Sequence, residues 1–279
     1  MRIASCVVDG AHQFGCIEGD QFVAFSPQHA SWEAVLAASC EGTLQRGDRK
    51  TPAAQLQWLP PIASTGRILC IGLNYALHAR EGGHAIPDYP AVFLRGALSA
   101  VGHRQPLIQP ALSERFDYEA ELAAVIGRRC RHVRAADALD VVAGYTCFND
   151  GSARDFQRKS TQWTMGKNFD ASGALGPAVV TPDALPAAAH GLRIQARLNG
   201  RTVQDSTTAD MIFAVPQLIE TLSAVMTLLP GDVIATGTPS GVGFARTPPL
   251  FMVPGDLCEI EIEGIGVLSN TVSADDTGG

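Results

Sequence analysis

Apolar residues recur along this chain in short runs punctuated by Gly, Pro, Asn and Asp, a pattern of strands joined by turns more than of long helices. Residues 3 to 25 read as short strands separated at Asp9-Gly10 and Glu18-Gly19-Asp20, which are turn-prone. Ser31 can cap a short helix in which Trp32, Val35 and Leu36 share one side. From Glu41 to Lys50 the chain is polar, and Leu59-Pro60-Pro61-Ile62 is a stiff connector because proline fixes the backbone. Residues 1–62 are therefore expected to form a small N-terminal domain.

The main domain, residues 67–271, opens with a strand at Arg67 to Gly72. A short helix follows, for which Asn74 is the expected N-cap and Gly82-Gly83 the stop. Further strands are read at 90–95, around Leu122 to Gly127, at 141–149, 177–180, 233–236 and 257–262. Leu192 to Leu198 alternates apolar and polar, and Asn199-Gly200 turns it into a hairpin. A helix from about Pro216 should present Leu218, Ile219, Leu222, Val225, Met226 and Leu229 to a core. Residues 272–279 are expected to be a disordered tail. The fold class is mainly β with some helix, α+β.

Composition narrows the function. Hydrophobic residues make up 46% of 279, which suits a packed globular protein, and the net charge of −7 opposes binding to nucleic acid. Seven scattered cysteines with no Cys-x-x-Cys spacing point to reduced thiols and a cytoplasmic setting, and disfavour zinc. No run approaches a membrane span, and the N-terminus lacks a signal-peptide core.

The stretch that carries chemistry is Phe116-Asp117-Tyr118-Glu119-Ala120-Glu121, leading into Leu122 to Gly127. Alternate side chains of a strand share a face, so Glu119 and Glu121 are neighbours at the mouth of an apolar strand. Either they lie on a solvated edge, or something positive sits between them: Lys, Arg or a divalent cation. Asp150 ends another apolar run and would join them, and three carboxylates make half of an octahedral oxygen site for Mg2+ or Mn2+.

Other polar residues cluster around that possibility. His78 and Glu81, three apart on a helix, are either a solvated pair or a dyad in which the carboxylate raises the basicity of the imidazole. Asp150, Arg154 and Gln157 would line one side of a helix starting near Gly151, and Lys167 stands alone among apolar and small residues. Gly237 to Gly243 lacks the Gly-Lys-Ser/Thr ending of a phosphate loop and reads as a tight active-site rim exposing the Thr238 hydroxyl.

Taken together, Asn74-Tyr75 with His78 and Glu81, Tyr118-Glu119-Ala120-Glu121-Leu122, Gly144-Tyr145 through Asn149-Asp150, Ser152 to Asp155, Gly166-Lys167, Asn199-Gly200, Pro230-Gly231-Asp232 and Gly237 to Gly243 resemble the fumarylacetoacetate hydrolase family. The resemblance implies a mixed β-sandwich roll preceded by the small N-terminal domain, usually in a homodimer. It implies a divalent cation, most often Mg2+ with Mn2+ or Ca2+ as alternatives, on Glu119, Glu121 and Asp150. It places a lid base and its orienting acid on His78 and Glu81, charge-stabilising groups on Gln157 and Lys167, and substrate contacts on Tyr75, Arg154 and Thr238. Two departures, Arg95 where many members carry lysine and Gly151 in place of valine, are expected not to touch the ligands.

The expected activity is metal-dependent hydrolysis of a carbon–carbon bond in a 2,4-dioxo acid of the acylpyruvate type. The first alternative is decarboxylation of oxaloacetate, or isomerisation or decarboxylation of a hydroxyheptadienedioate, through the same enolate. An alternative from another class is a metal-stabilised binding protein without turnover. The expected partner is a small 2-oxo acid, with no nucleic acid and no membrane.

Overall fold

The computed structural model describes residues 1–29, 31–62 and 66–275. Strands β1 (Arg2–Val8), β2 (Ala11–Glu18) and β3 (Gln21–Phe25) form the expected meander. Helix α1 (Trp32–Glu41) follows, with the Ser31 side chain accepting from the Ala34 N–H at 3.2 Å. The polar stretch then forms a strand that its composition does not announce, β4 (Arg46–Pro52), which pairs with β3. Short β5 (Gln57–Leu59) pairs with β1.

Strand β6 (Arg67–Gly72), helix α2 (Ala76–Glu81) and strand β7 (Ala91–Gly96) come next, then short β8 (Ala100–Val101), β9 (Leu107–Gln109) and β10 (Phe116–Asp117). Central strands β11 (Ala120–Ile126) and β12 (Val142–Asn149) are antiparallel and wholly buried. Beyond them lie β13 (Ser152–Ala153), the single turns α3 (Arg154–Gln157) and α4 (Thr164–Lys167), and β14 (Gly173–Val180). Strands β15 (Arg193–Leu198) and β16 (Arg201–Thr207) form the Asn199-Gly200 hairpin, with Leu198 opposite Arg201. Helix α5 (Val215–Val225) and strands β17 (Val233–Ala235), β18 (Leu257–Ile262) and β19 (Gly266–Ala274) complete the chain.

Twelve strands form one large sheet, with β5 and β8 beside a main path ordered β4-β3-β2-β1-β14-β12-β11-β17-β6-β7; five form a second, β16-β15-β18-β19-β9. Period-two alternation explains their packing. Leu122, Ala124 and Ile126 point to the small sheet and meet Ile194, Ala196, Ile260 and Leu268, together with Leu218, Ile219 and Leu222 of α5. Ala123 and Val125 point the other way, to Trp32, Val35 and Leu36 of α1. A strand covered on both faces must be apolar at every position, and that is why Leu122 to Ile126 reads as a continuous run.

Several boundaries differ from those read in the sequence. Asn74 does not cap α2: it is buried, and its side-chain amide donates to the Thr236 and Phe213 carbonyls at 2.7 and 3.0 Å and accepts from the Phe213 N–H at 2.7 Å. The residue at the cap position is Tyr75. Helix α5 ends at Val225, so Val225 and Leu229 are 64% and 42% exposed instead of packed. Val272 to Ala274 are not a tail, because they pair in parallel with Leu107 to Gln109; residues 276–279 lie outside the described residues. No helix among the described residues is long and apolar enough to cross a membrane.

The sheet carries no break at the expected domain boundary. Arg2 and Ile3 of β1 pair with Val180 and Val179 of β14, and Ile3, Phe25, Trp32, Val35 and Leu36 share one apolar cluster with Val125, Ala143 and Val179. A chain beginning at Arg67 would expose both an unpaired β14 edge and one face of the central strands. Such a fragment is expected to aggregate or to lose cooperative thermal unfolding. Recovery of a soluble fragment that melts at the full-length midpoint would show instead that the first 62 residues are separable.

Candidate metal centre and active-site cavity

Strand directions bring one edge of the large sheet to a focus. Strand β11 runs antiparallel to β12 and β17, and β6 runs parallel to β17. The residues before β11 and those after β12, β17 and β6 therefore meet at the same edge. Glu119 precedes β11, Asp150 follows β12, Gly237 and Thr238 follow β17, and α2 follows β6. The Asp150 N–H donates to the Glu119 carbonyl at 3.0 Å, which locks the first two side by side.

There Glu119, Glu121 and Asp150 are 5%, 2% and 0% exposed, with one oxygen from each lying within 4.8 Å of the others. Lys167 bridges two of them, 2.8 Å from Glu119 Oε2 and 2.5 Å from Asp150 Oδ2. Arg154 takes the other Glu119 oxygen at 2.6 Å, and Arg95 the other Asp150 oxygen at 2.5 Å. Among the described residues no cation pairs with Glu121, which accepts from the Gly237 N–H at 3.0 Å. Gly237 reaches that position with φ of +96°, in the left-handed region, where a Cβ would also press on Asn74.

The carboxyl pKa values separate accordingly. Burial pushes Glu119 up, but Lys167 and Arg154 outweigh it and hold the group at about 2. For Glu121, burial and then the charges of Asp150 and Glu119 push in one direction, well above the usual carboxylate range. Burial lowers the Lys167 ammonium pKa, yet Asp150 and Glu119 leave it raised overall and the lysine charged.

The donors fit a hard divalent cation. All are carboxylate oxygens, the set that suits Mg2+, Mn2+ or Ca2+, and Glu121 holds a proton that a cation could displace. An ionised oxygen has two lone pairs, so contact with Lys167 does not exhaust Glu119 or Asp150.

A cavity of about 450 Å3 opens over this cluster, lined also by His78, Arg154, Gln157, Lys167 and Thr238, with Phe93, Trp163 and Phe244 as apolar walls. His78 Nδ1 lies 2.8 Å from Glu81 Oε1, and both oxygens of Glu81 accept from the Gly241 N–H at 3.0 and 3.1 Å. Gln157 Oε1 accepts from Arg154 at 2.9 Å, and Thr238 accepts from Gln204 at 2.8 Å. Tyr75 is placed apart: it does not line the cavity, its buried hydroxyl has no hydrogen-bond partner among the described residues, and burial followed by the Glu121 charge raises its pKa.

Arg95 and Gly151 also sit closer to the cluster than their place in the sequence suggests. Besides Asp150, Arg95 donates to the Gly151 carbonyl at 2.9 Å and to Ser172 at 2.8 Å, so it clamps a proposed ligand directly. At Gly151 a Cβ would lie 1.9 Å from the Ser172 carbonyl oxygen, so no larger residue fits this packing.

Asp117, two residues before Glu119 in the acidic stretch and at the end of β10, also belongs to the site. It accepts from Arg154 Nε at 2.8 Å and from the Gly243 and Phe244 N–H groups at 2.7 and 3.0 Å. It thereby ties Arg154 to the rim loop.

A family model described as fumarylacetoacetate (FAA) hydrolase C-terminal matches residues 67–273. The chain belongs to the fumarylacetoacetate hydrolase family. It is 43% identical over 222 residues to the mitochondrial oxaloacetate tautomerase Fahd2a of Rattus norvegicus, covering 79% of this chain and 71% of that protein. Among solved structures it is similar to a 2-hydroxyhepta-2,4-diene-1,7-dioate isomerase from Mycobacterium marinum, with TM-score 0.83, 36% identity and coverage of 99% of this chain and 100% of that one. It is also similar to a fumarylacetoacetate hydrolase from Exiguobacterium antarcticum, with TM-score 0.85, 33% identity and the same coverage. These neighbours share the family's mainly β fold, and every motif that carried the resemblance lies within the matched range.

A raised pKa at Glu121 means that the folded state holds this proton more tightly than the unfolded chain. Its contribution to stability is present below the usual carboxylate range and is lost as pH rises through the elevated value. In EDTA, Glu121→Gln is therefore expected to keep or raise the melting temperature near pH 7, while the rise produced by millimolar Mg2+ or Mn2+ in the wild type disappears. A cation-induced rise of equal size in wild type and variant would remove Glu121 from the metal centre.

Proposed function

We propose that this chain is a divalent-cation-dependent enzyme that moves a proton on carbon 3 of a 2-oxo acid, interconverting the keto and enol forms of an oxaloacetate-like substrate. The observation that carries this reading is the convergence of Glu119, Glu121 and Asp150 within 4.8 Å beneath a cavity that also contains His78 and Lys167. Glu119, Glu121 and Asp150 would hold the cation, with Mg2+ as the first candidate. When bound, it supplies Lewis acidity that lowers the cost of negative charge on the 2-oxo oxygen.

The remaining work falls to the protein. Glu81, held by the Gly241 N–H, occupies His78 Nδ1, which fixes the tautomer and leaves Nε2 to take the proton from carbon 3 and pass it to the 2-oxo oxygen, which becomes the enol hydroxyl; the reverse transfer restores the keto form. Lys167 adds positive charge close to where the enolate builds up, and Arg154 and Gln157 orient the substrate carboxylate. Thr238, held by Gln204, contributes a hydroxyl on the rim. Tautomerisation needs no attacking water, which suits a small cavity walled by Trp163 and Phe244. The named relatives that act on oxaloacetate and on a hydroxyheptadienedioate support a proton transfer of this kind.

A second reading is hydrolysis of an acylpyruvate, favoured by the His78–Glu81 hydrogen bond, since the same imidazole can activate water. The proposal extends to a homodimer working in the cytoplasm. Spectrophotometric decay of enol-oxaloacetate is expected to be accelerated by the protein with Mg2+, to stop in EDTA, and to slow about 100-fold in His78→Ala, the scale of a lost general base. Cleavage of acylpyruvates with oxaloacetate untouched would replace the first reading by the second. Turnover of neither class would sink both.

A further inference from the structure

Three lysine or arginine side chains line the cavity, Arg154, Arg158 and Lys167. Two of them are neutralised within the chain: Lys167 by Glu119 and Asp150, Arg154 by Asp117 and Glu119. Arg158 is different. It lies in the exposed turn just past α3, and among the described residues no carboxylate pairs with it. Its guanidinium stands over the Phe244 ring, 4.5 Å from the centroid, and the Arg154 guanidinium stands over the same ring at 4.7 Å. Phe244 is itself pinned, because its N–H donates to Asp117, the partner of Arg154. The position of Arg158 relative to the carboxylate cluster is thus set by one aromatic ring and is not left to a free surface side chain.

A guanidinium that stacks by its face keeps its in-plane N–H groups available, in the fork that matches a carboxylate. The chemistry at the deep end, where Glu119, Glu121 and Asp150 gather, accounts for only one end of a substrate. A 2-oxo acid with a single carboxylate would leave Arg158 uncompensated at the other end. We infer that Arg158 receives the distal carboxylate of a dicarboxylic 2-oxo acid, so that the cavity selects dianions over pyruvate-like monoanions. This rests on the 2-oxo acid reading above and narrows its substrate class.

The test combines binding and turnover on the Mg2+-loaded protein. Calorimetric titrations with 2-oxoglutarate and with pyruvate, for wild type, Arg158→Gln and Arg158→Lys, give a discrimination ratio between dicarboxylate and monocarboxylate. That ratio is expected to fall about tenfold in Arg158→Gln, the scale of one charge-assisted contact, and to recover in part in Arg158→Lys. The KM for oxaloacetate should rise in parallel, more than kcat falls. An unchanged ratio, or equal weakening of both ligands, overturns the inference and leaves Arg158 as a prop for Phe244. A wild type that binds 2-oxoglutarate through Arg158 but turns over no 2-oxo acid overturns the reaction and supports the selectivity. Turnover of oxaloacetate indifferent to Arg158→Gln does the reverse.

Discussion

Four carboxylates, Asp117, Glu119, Glu121 and Asp150, are buried together with three cations, Arg95, Arg154 and Lys167. Charges taken out of water in this way cost several kcal/mol each unless they are paired, so every member must hold its partners in fixed geometry. Lys167 joins Glu119 to Asp150, Arg154 joins Glu119 to Asp117, and Arg95 joins Asp150 to the turn at Ser172. The pairing comes out one cation short, and the shortfall falls on Glu121. An oxygen cage whose third carboxylate keeps its proton for want of a counter-charge, in a cavity open to a small molecule, is an arrangement that invites a divalent cation in that proton's place.

The rest of the molecule holds that arrangement in place. The central strands are packed on both faces, by the second sheet and by α1, which leaves them little freedom to shift. Because β12, β17 and β6 end where β11 begins, backbone that is already committed to the sheet delivers Asp150, the rim loop and α2 to Glu119. The rim is then held from two sides, by Asp117 through Gly243 and Phe244 and by Glu81 through Gly241. The dyad of His78 and Glu81 is consequently coupled to the same loop that presents Thr238. A carboxylate that looks like the helper of a histidine also fastens α2 to the rim.

Much of the site is legible in the sequence alone. Glu119 and Glu121 share a face because a strand alternates, and His78 and Glu81 meet because a helix repeats; both relations are local and survive any tertiary context. The hairpin at Asn199-Gly200 and the cap at Ser31 are local in the same way. Asp117 was within reach of that reasoning, since it continues the Glu119 and Glu121 alternation by one more step. Arg95 was harder. It closes an apolar strand, and only its distance of 55 positions from Asp150 hides the clamp between them.

The sequence by itself determined most strand and turn positions, the acidic face and the family, because each depends on a short stretch of chain or on an ordered set of motifs. Only the tertiary structure decided that Asn74 ties down the Thr236 and Phe213 segments and not a helix end, that Tyr75 turns away from the cavity, that polar residues 46–52 become a strand, and that Val272 to Ala274 pair with β9. Each of those outcomes rests on a partner far away in the sequence. Hydrogen bonds and burial are properties of pairs, and a single chain read from end to end names the members without saying which of them will meet.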